Sequence, residues 1–188
     1  MFFNREYIVL LSIIGIILLY SYYHFLASNT RSNTRSITGS NTGSNTGLIT
    51  KLWGNITGNL LIVYYISMIL ATIGFILLFY YLLTTSIFTQ KEVNNIFYCL
   101  LFIIIISIFW MPLSLKYLEN KNDYNKYLTI FVLFLVAISS LYLLYLVDQV
   151  NDKENKISKT LALLGSIYFF IHVFLFDFII WDYNFFMK

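Results

Sequence analysis

Five long stretches without a single formal charge dominate this sequence and limit what it can fold into. They run over residues 7–30, 52–90, 93–115, 127–147 and 160–176. A bilayer core about 30 Å thick is crossed by roughly 20 helical residues at 1.5 Å each. Each stretch reaches that length or comes close to it. The pattern therefore predicts five transmembrane helices.

The overall composition supports this prediction. Of the 188 residues, 59% are hydrophobic and 11% are charged, and the mean hydropathy is +0.75. A soluble domain typically has about a quarter of its residues charged. A transmembrane barrel would show alternating segments of about ten residues, which are absent here. The predicted fold class is thus an all-α integral membrane protein.

The segments between the apolar stretches give the predicted organisation. We expect helices over roughly 7–27, 59–84, 95–115, 127–147 and 160–182. Short connections after the second helix predict an up-down four-helix core formed by helices two to five. The predicted divisions are an N-terminal anchor at 1–27, a polar loop at 28–58 and a four-helix domain at 59–188. A cleaved signal sequence is the alternative for 1–27, but its apolar stretch is long for one.

A tetrapeptide repeat follows the first helix. Residues 28–47 read SNTR, SNTR, SITG, SNTG, SNTG. Ser, Asn, Thr and Gly bury too little surface to offset the entropy of ordering, so a flexible low-complexity linker is expected. A slippage-expanded coding repeat is favoured over a ligand-facing or glycan-bearing loop. The abundance of Phe, Tyr, Ile, Asn and Lys fits an AT-rich genome.

Small residues mark one face on each of two predicted helices. Ser67, Ala71 and Gly74 share a face of the second helix, and Gly165 lies on the small-residue face of the fifth. Small residues at this spacing let helix backbones approach closely. Pro112, the single proline, either kinks the third helix or marks its end, and termination at the membrane interface is favoured.

Motifs for catalysis, cofactors and metals are missing from the sequence. There is no nucleotide-binding glycine loop, no H-E-x-x-H and no G-x-S-x-G. Cys99 is the only cysteine and has no partner for a disulfide or a zinc site. The net charge of +3 is dispersed, without a basic stripe for nucleic acid. We therefore expect no enzyme, no catalytic, cofactor-binding or metal-binding residues, and no nucleic-acid partner.

The candidate functional residues are His172 and Asp177 in the fifth helix. Ionisable groups within a span are costly and are often functional. On a regular α-helix, residues five apart are separated by roughly 140°, so the two side chains are not expected to point at one another. Both a structural role in helix packing and a role along a transport path stay open for this pair.

Two functions follow as expectations. The first is a structural or accessory component of a membrane, in contact with the lipid bilayer and with membrane-protein partners or a second copy of the chain. The second is a small transporter or channel subunit that uses His172 and Asp177. The basic residues flank one predicted side slightly more than the other, which places the repeat and the C-terminus in the cytoplasm.

Overall fold

The computed structural model describes residues 5–35 and 51–186, and this part of the chain is helical without any strand. Its five long helices are α1 (Arg5–Arg35), α2 (Gly58–Thr84), α3 (Gln90–Asn120), α4 (Asp123–Gln149) and α5 (Lys156–Phe186). All five are long and apolar enough to cross a membrane, α1 over Arg5–Phe25. The predictions of an all-helical fold and of five such helices are confirmed.

Two of the helix contacts join helices that are not consecutive in the chain, α1 with α3 and α2 with α5. α1 lies against α3, α3 against α4, α4 against α5, and α5 against α2. Two hydrogen bonds fix α1 parallel to α3: Tyr7 Oη donates to Asn94 Oδ1 near the start of both helices, and Tyr22 Oη donates to the Ser107 carbonyl further along. The sequence left the position of α1 open, and the structure places it on the α3 side of the core.

α2 and α5 run antiparallel and meet through their small-residue faces. Gly74 and Gly165 lie backbone to backbone at their crossing. A Cβ atom added to Gly74 would lie 2.6 Å from the Gly165 carbonyl oxygen, and one added to Gly165 would lie 2.3 Å from that of Gly74. Ser67 and Ala71 are buried on the same face of α2. Both small-residue faces predicted from the sequence are thus contact surfaces, and each is the partner of the other.

Several helices extend further than predicted. α1 continues to Arg35 rather than ending at Ala27, and residues 36–50, which hold the rest of the repeat, lie outside the described part. α3 passes through Pro112 and ends at Asn120. A helix can continue past a proline at the cost of one backbone hydrogen bond. The expected end of the third helix at 115 is therefore wrong.

The turns are correspondingly short. Lys121 (φ 48°) in the left-handed region ends α3, and α4 begins at Asp123 after the N-cap residue Asn122. At the start of α3, the Thr89 side chain accepts from the Glu92 amide while the Glu92 carboxylate accepts from the Thr89 amide at 2.7 Å. This capping box places Lys91 and Glu92 within α3.

The second half of α5 is not a regular α-helix. Lys156–Ile171 is α-helical, His172–Trp181 is π-helical, and Asp182–Phe186 returns to α geometry. A π-helix bonds each amide to the carbonyl five residues back, so side chains five apart lie on the same face of the helix. This change of helix type decides the geometry of the candidate site.

Candidate functional site

A cavity of about 470 Å³ lies between the helices, in the half of the bundle that contains the end of α5. All five helices and the connecting residues Leu52 and Trp53 contribute to its wall. The wall is mostly apolar, and its aromatic side chains are Tyr22, Trp53, Tyr64, Trp110, Phe169 and Trp181. An apolar chamber with a few convergent polar groups is the usual form of a small-molecule site.

His172 and Asp177 both line this cavity, and the structure brings them together. His172 Nε2 lies 3.6 Å from Asp177 Oδ1. The expectation that the two side chains point apart is therefore wrong. It assumed α-helical geometry, whereas the two residues lie five apart within the π-helical segment and share a face.

Two residues of α2 complete the polar network. The Tyr64 hydroxyl donates a hydrogen bond to Asp177 Oδ1, and Ser67 Oγ lies 2.9 Å from His172 Nδ1. His172 is almost fully buried, with 10% of its side chain exposed, whereas 29% of the Asp177 side chain is exposed. Asp177 lines the cavity and is the most exposed member of the network.

Aromatic packing holds the network in place. The Tyr64 ring meets His172 edge to face at 5.5 Å between centroids, and Phe176 stacks on His172 at 5.7 Å. Trp53 meets Tyr64 edge to face at 5.0 Å. Such ring pairs add to the burial energy and restrict side-chain rotation. The imidazole and the phenol are therefore fixed relative to the cavity.

The segment 51–57 covers the end of α5 next to the cavity. Trp181 Nε1 donates to the Leu52 carbonyl at 2.9 Å, and the Asn55 amide donates to the Asn184 carbonyl at 3.0 Å. Gly54, at φ 58°, lies so close to Asn184 that a Cβ atom would be 2.4 Å from its carbonyl oxygen. Leu52 and Trp53 are thereby placed over the cavity.

Within residues 5–35 and 51–186, no group of three His, Cys, Asp or Glu side chains is arranged to hold a metal ion. Cys99 is buried, and its Sγ lies 3.3 Å from the Ser139 carbonyl oxygen, away from the cavity wall.

Comparison with protein families, with curated proteins and with solved structures found no match.

The sequence identified two members of the site and missed the others. His172 and Asp177 stood out because they are ionisable residues in an apolar stretch. Ser67 was assigned only to packing, and Tyr64 gave no signal because its partner lies 113 residues away along the chain. The tryptophans gave the one available signal. The chain has three tryptophans, Trp53, Trp110 and Trp181, and all of them line the cavity.

Proposed function

We propose that this chain is an integral membrane protein in which α2–α5 form the core and α1 lies beside α3. The outward faces of the helices support this. On α2, Ile62, Ile69 and Ile76 form a stripe along the helix and are 57%, 60% and 61% exposed. An exposed apolar surface of this extent is unfavourable in water, but it is matched by lipid chains.

Within that membrane, we infer that the protein binds a small apolar or amphipathic molecule and does not transform it. The cavity of about 470 Å³ carries this proposal. Its volume lies within the range typical of ligand sites, and it is lined mainly by aromatic and aliphatic side chains. The polar side chains His172, Tyr64 and Ser67 are hydrogen-bonded to one another or to Asp177, which suits orientation of a ligand rather than turnover.

Tryptophan fluorescence tests this proposal directly, since all three tryptophans line the cavity. The full chain in nonionic detergent is titrated with 1-bromoadamantane, an apolar molecule whose bromine quenches indoles on contact. We expect saturable quenching. Val136→Phe, which places a ring in the cavity from α4, should weaken it.

The matched control is Ile138→Phe. This residue lies two positions after Val136 on α4, and its side chain is 49% exposed on the outside of the helix bundle. It should leave the titration unchanged. Quenching that rises linearly without saturation, or that responds equally to both substitutions, would show that the probe only partitions into the micelle. The ligand-binding proposal would then be wrong.

An accessory role in a membrane complex, or association with a second copy, stays a prediction. It is compatible with ligand binding, because an occupied cavity fixes the arrangement of α2 and α5. Co-purification in mild detergent tests it: a stable partner or a dimer supports the role, and a monomer without partners at every detergent concentration contradicts it.

Transport is the second candidate function, and the observation that favours it is the position of His172 and Asp177 on the cavity wall. The other half of the bundle is closed, however. Leu78, Tyr81 and Leu100 are at most 1% exposed there, and Gly74 contacts Gly165. Transport would therefore require α2 and α5 to separate. His172→Leu should abolish a solute or proton flux in liposomes if transport is the function, and an unchanged flux would exclude it.

A further inference from the structure

The hydrogen-bonding capacity left over in the cavity wall determines which ligand chemistry fits. This inference rests on the proposed binding function. Three donors of the wall already have partners: the Tyr22 hydroxyl donates to the Ser107 carbonyl at 2.6 Å, the Ser107 hydroxyl donates to the Ile103 carbonyl at 2.7 Å, and Trp181 Nε1 donates to the Leu52 carbonyl. Trp110 Nε1 has no partner, but that atom is covered by its neighbours and does not reach the cavity surface.

Asp177 is the exception, because it has acceptor capacity to spare. Its Oδ1 accepts from Tyr64 and lies 3.6 Å from His172 Nε2. Among the described residues, none donates a hydrogen bond to its second oxygen, although 29% of the side chain is exposed and the residue lines the cavity. A carboxylate in an apolar chamber gains most from a charged donor, since charge-assisted hydrogen bonds are the strong ones.

The charge around the cavity favours a cation. No Lys or Arg is among the residues that line it. Both ring nitrogens of His172 already have polar neighbours, with Ser67 Oγ 2.9 Å from Nδ1 and Asp177 Oδ1 3.6 Å from Nε2.

We propose that the cavity selects hydrophobic amines: the apolar body lies among the aromatic side chains, and the protonated amino group bonds to Asp177. A ligand with a carboxylate or phosphate in that position meets a like charge, with no Lys or Arg in the wall to offset it. A neutral alcohol of the same shape keeps the hydrogen bond but not the charge.

Three adamantanes with the same skeleton test this selectivity by displacing 1-bromoadamantane from the full-length protein in nonionic detergent. They carry an aminomethyl, a hydroxymethyl or a carboxylate group. We expect the amine to displace the probe at about tenfold lower concentration than the alcohol, because its hydrogen bond to Asp177 joins two charged groups and the alcohol's does not. The carboxylate should be the weakest of the three.

Asp177→Asn is the decisive variant. Its amide oxygen can still accept from Tyr64, and saturable quenching by 1-bromoadamantane shows whether it is folded. The amine should lose its advantage over the alcohol in this variant. A carboxylate that displaces as well as the amine, or an amine advantage that persists without Asp177, overturns the inference while leaving ligand binding intact. If the variant does not fold, the ranking of the three compounds on the unaltered protein decides whether the inference holds. Absence of saturable quenching by the probe itself instead refutes the proposed function.

Discussion

The contact between α2 and α5 makes a quantitative prediction for Gly165→Ala. The new methyl group would lie 2.3 Å from the Gly74 carbonyl oxygen and 2.9 Å from the Gly74 Cα. Ordinary van der Waals contact begins at 3.4 Å. The two atoms belong to helix backbones, which cannot rotate out of the way as a side chain does, so the helices must move apart by about 1 Å.

Two opposing effects set the magnitude. Overpacking of this kind costs about 1–3 kcal/mol, and a contact against backbone belongs at the upper end. Alanine has a better helix propensity than glycine by about 1 kcal/mol. We therefore expect Gly165→Ala to lower the free energy of unfolding by about 1–2 kcal/mol. The separation would also stretch the 2.9 Å contact between Ser67 and His172, which crosses the same interface, and weaken ligand binding.

Unfolding in mixed micelles, with helicity followed as the fraction of denaturing detergent rises, measures the change. Gly15→Ala in α1 is the matched control, because an added Cβ there has no atom within 4 Å. It should keep or raise the free energy of unfolding. If both variants behave alike, Gly165 is not in contact with α2, and the packing of the core as described is refuted.

Three further predictions concern single contacts. Tyr64→Phe removes the hydroxyl that bonds to the Asp177 carboxylate and should lower the free energy of unfolding by about 1–3 kcal/mol in the same assay. Tyr65→Phe, at an exposed position, should change it by less than about 0.5 kcal/mol. Trp181→Phe loses the bond to the Leu52 carbonyl, so amides of residues 51–57 should exchange faster with deuterium, and unchanged protection would contradict this role. Lys121→Gly relieves the positive φ and should stabilise the protein by up to about 1 kcal/mol, and a loss of stability would count against the left-handed cap.

The fold was predictable from the sequence wherever a single helix carries its own signal. Charge-free stretches located all five helices, and the spacing of small residues located the faces of α2 and α5 that pack. Pairing was not predictable. α2 packs on α5, the last helix in the chain, and nothing in the spacing of Ser67, Ala71 and Gly74 indicates which of the other helices supplies the matching face.

The site was only half predictable, for a related reason. His172 and Asp177 are visible as ionisable residues in apolar surroundings, but their relation depends on the helix type of residues 172–181. π-helices are rare, and a sequence interpreted with α-helical periodicity gives no sign of one. The helix ends were also misplaced, because α3 keeps its geometry through Pro112 and its polar final turns.

Photolabelling tests most directly whether a small apolar molecule binds between these helices. An adamantane carrying a diazirine is activated by light in the presence of the full-length protein, and the labelled residues are mapped by mass spectrometry. Binding in the cavity predicts labels on its wall, at Trp53, Met68, Met111 and Val173, that disappear when unlabelled ligand is in excess. Labels confined to the outward stripe of Ile62, Ile69 and Ile76, and insensitive to competitor, would contradict the account.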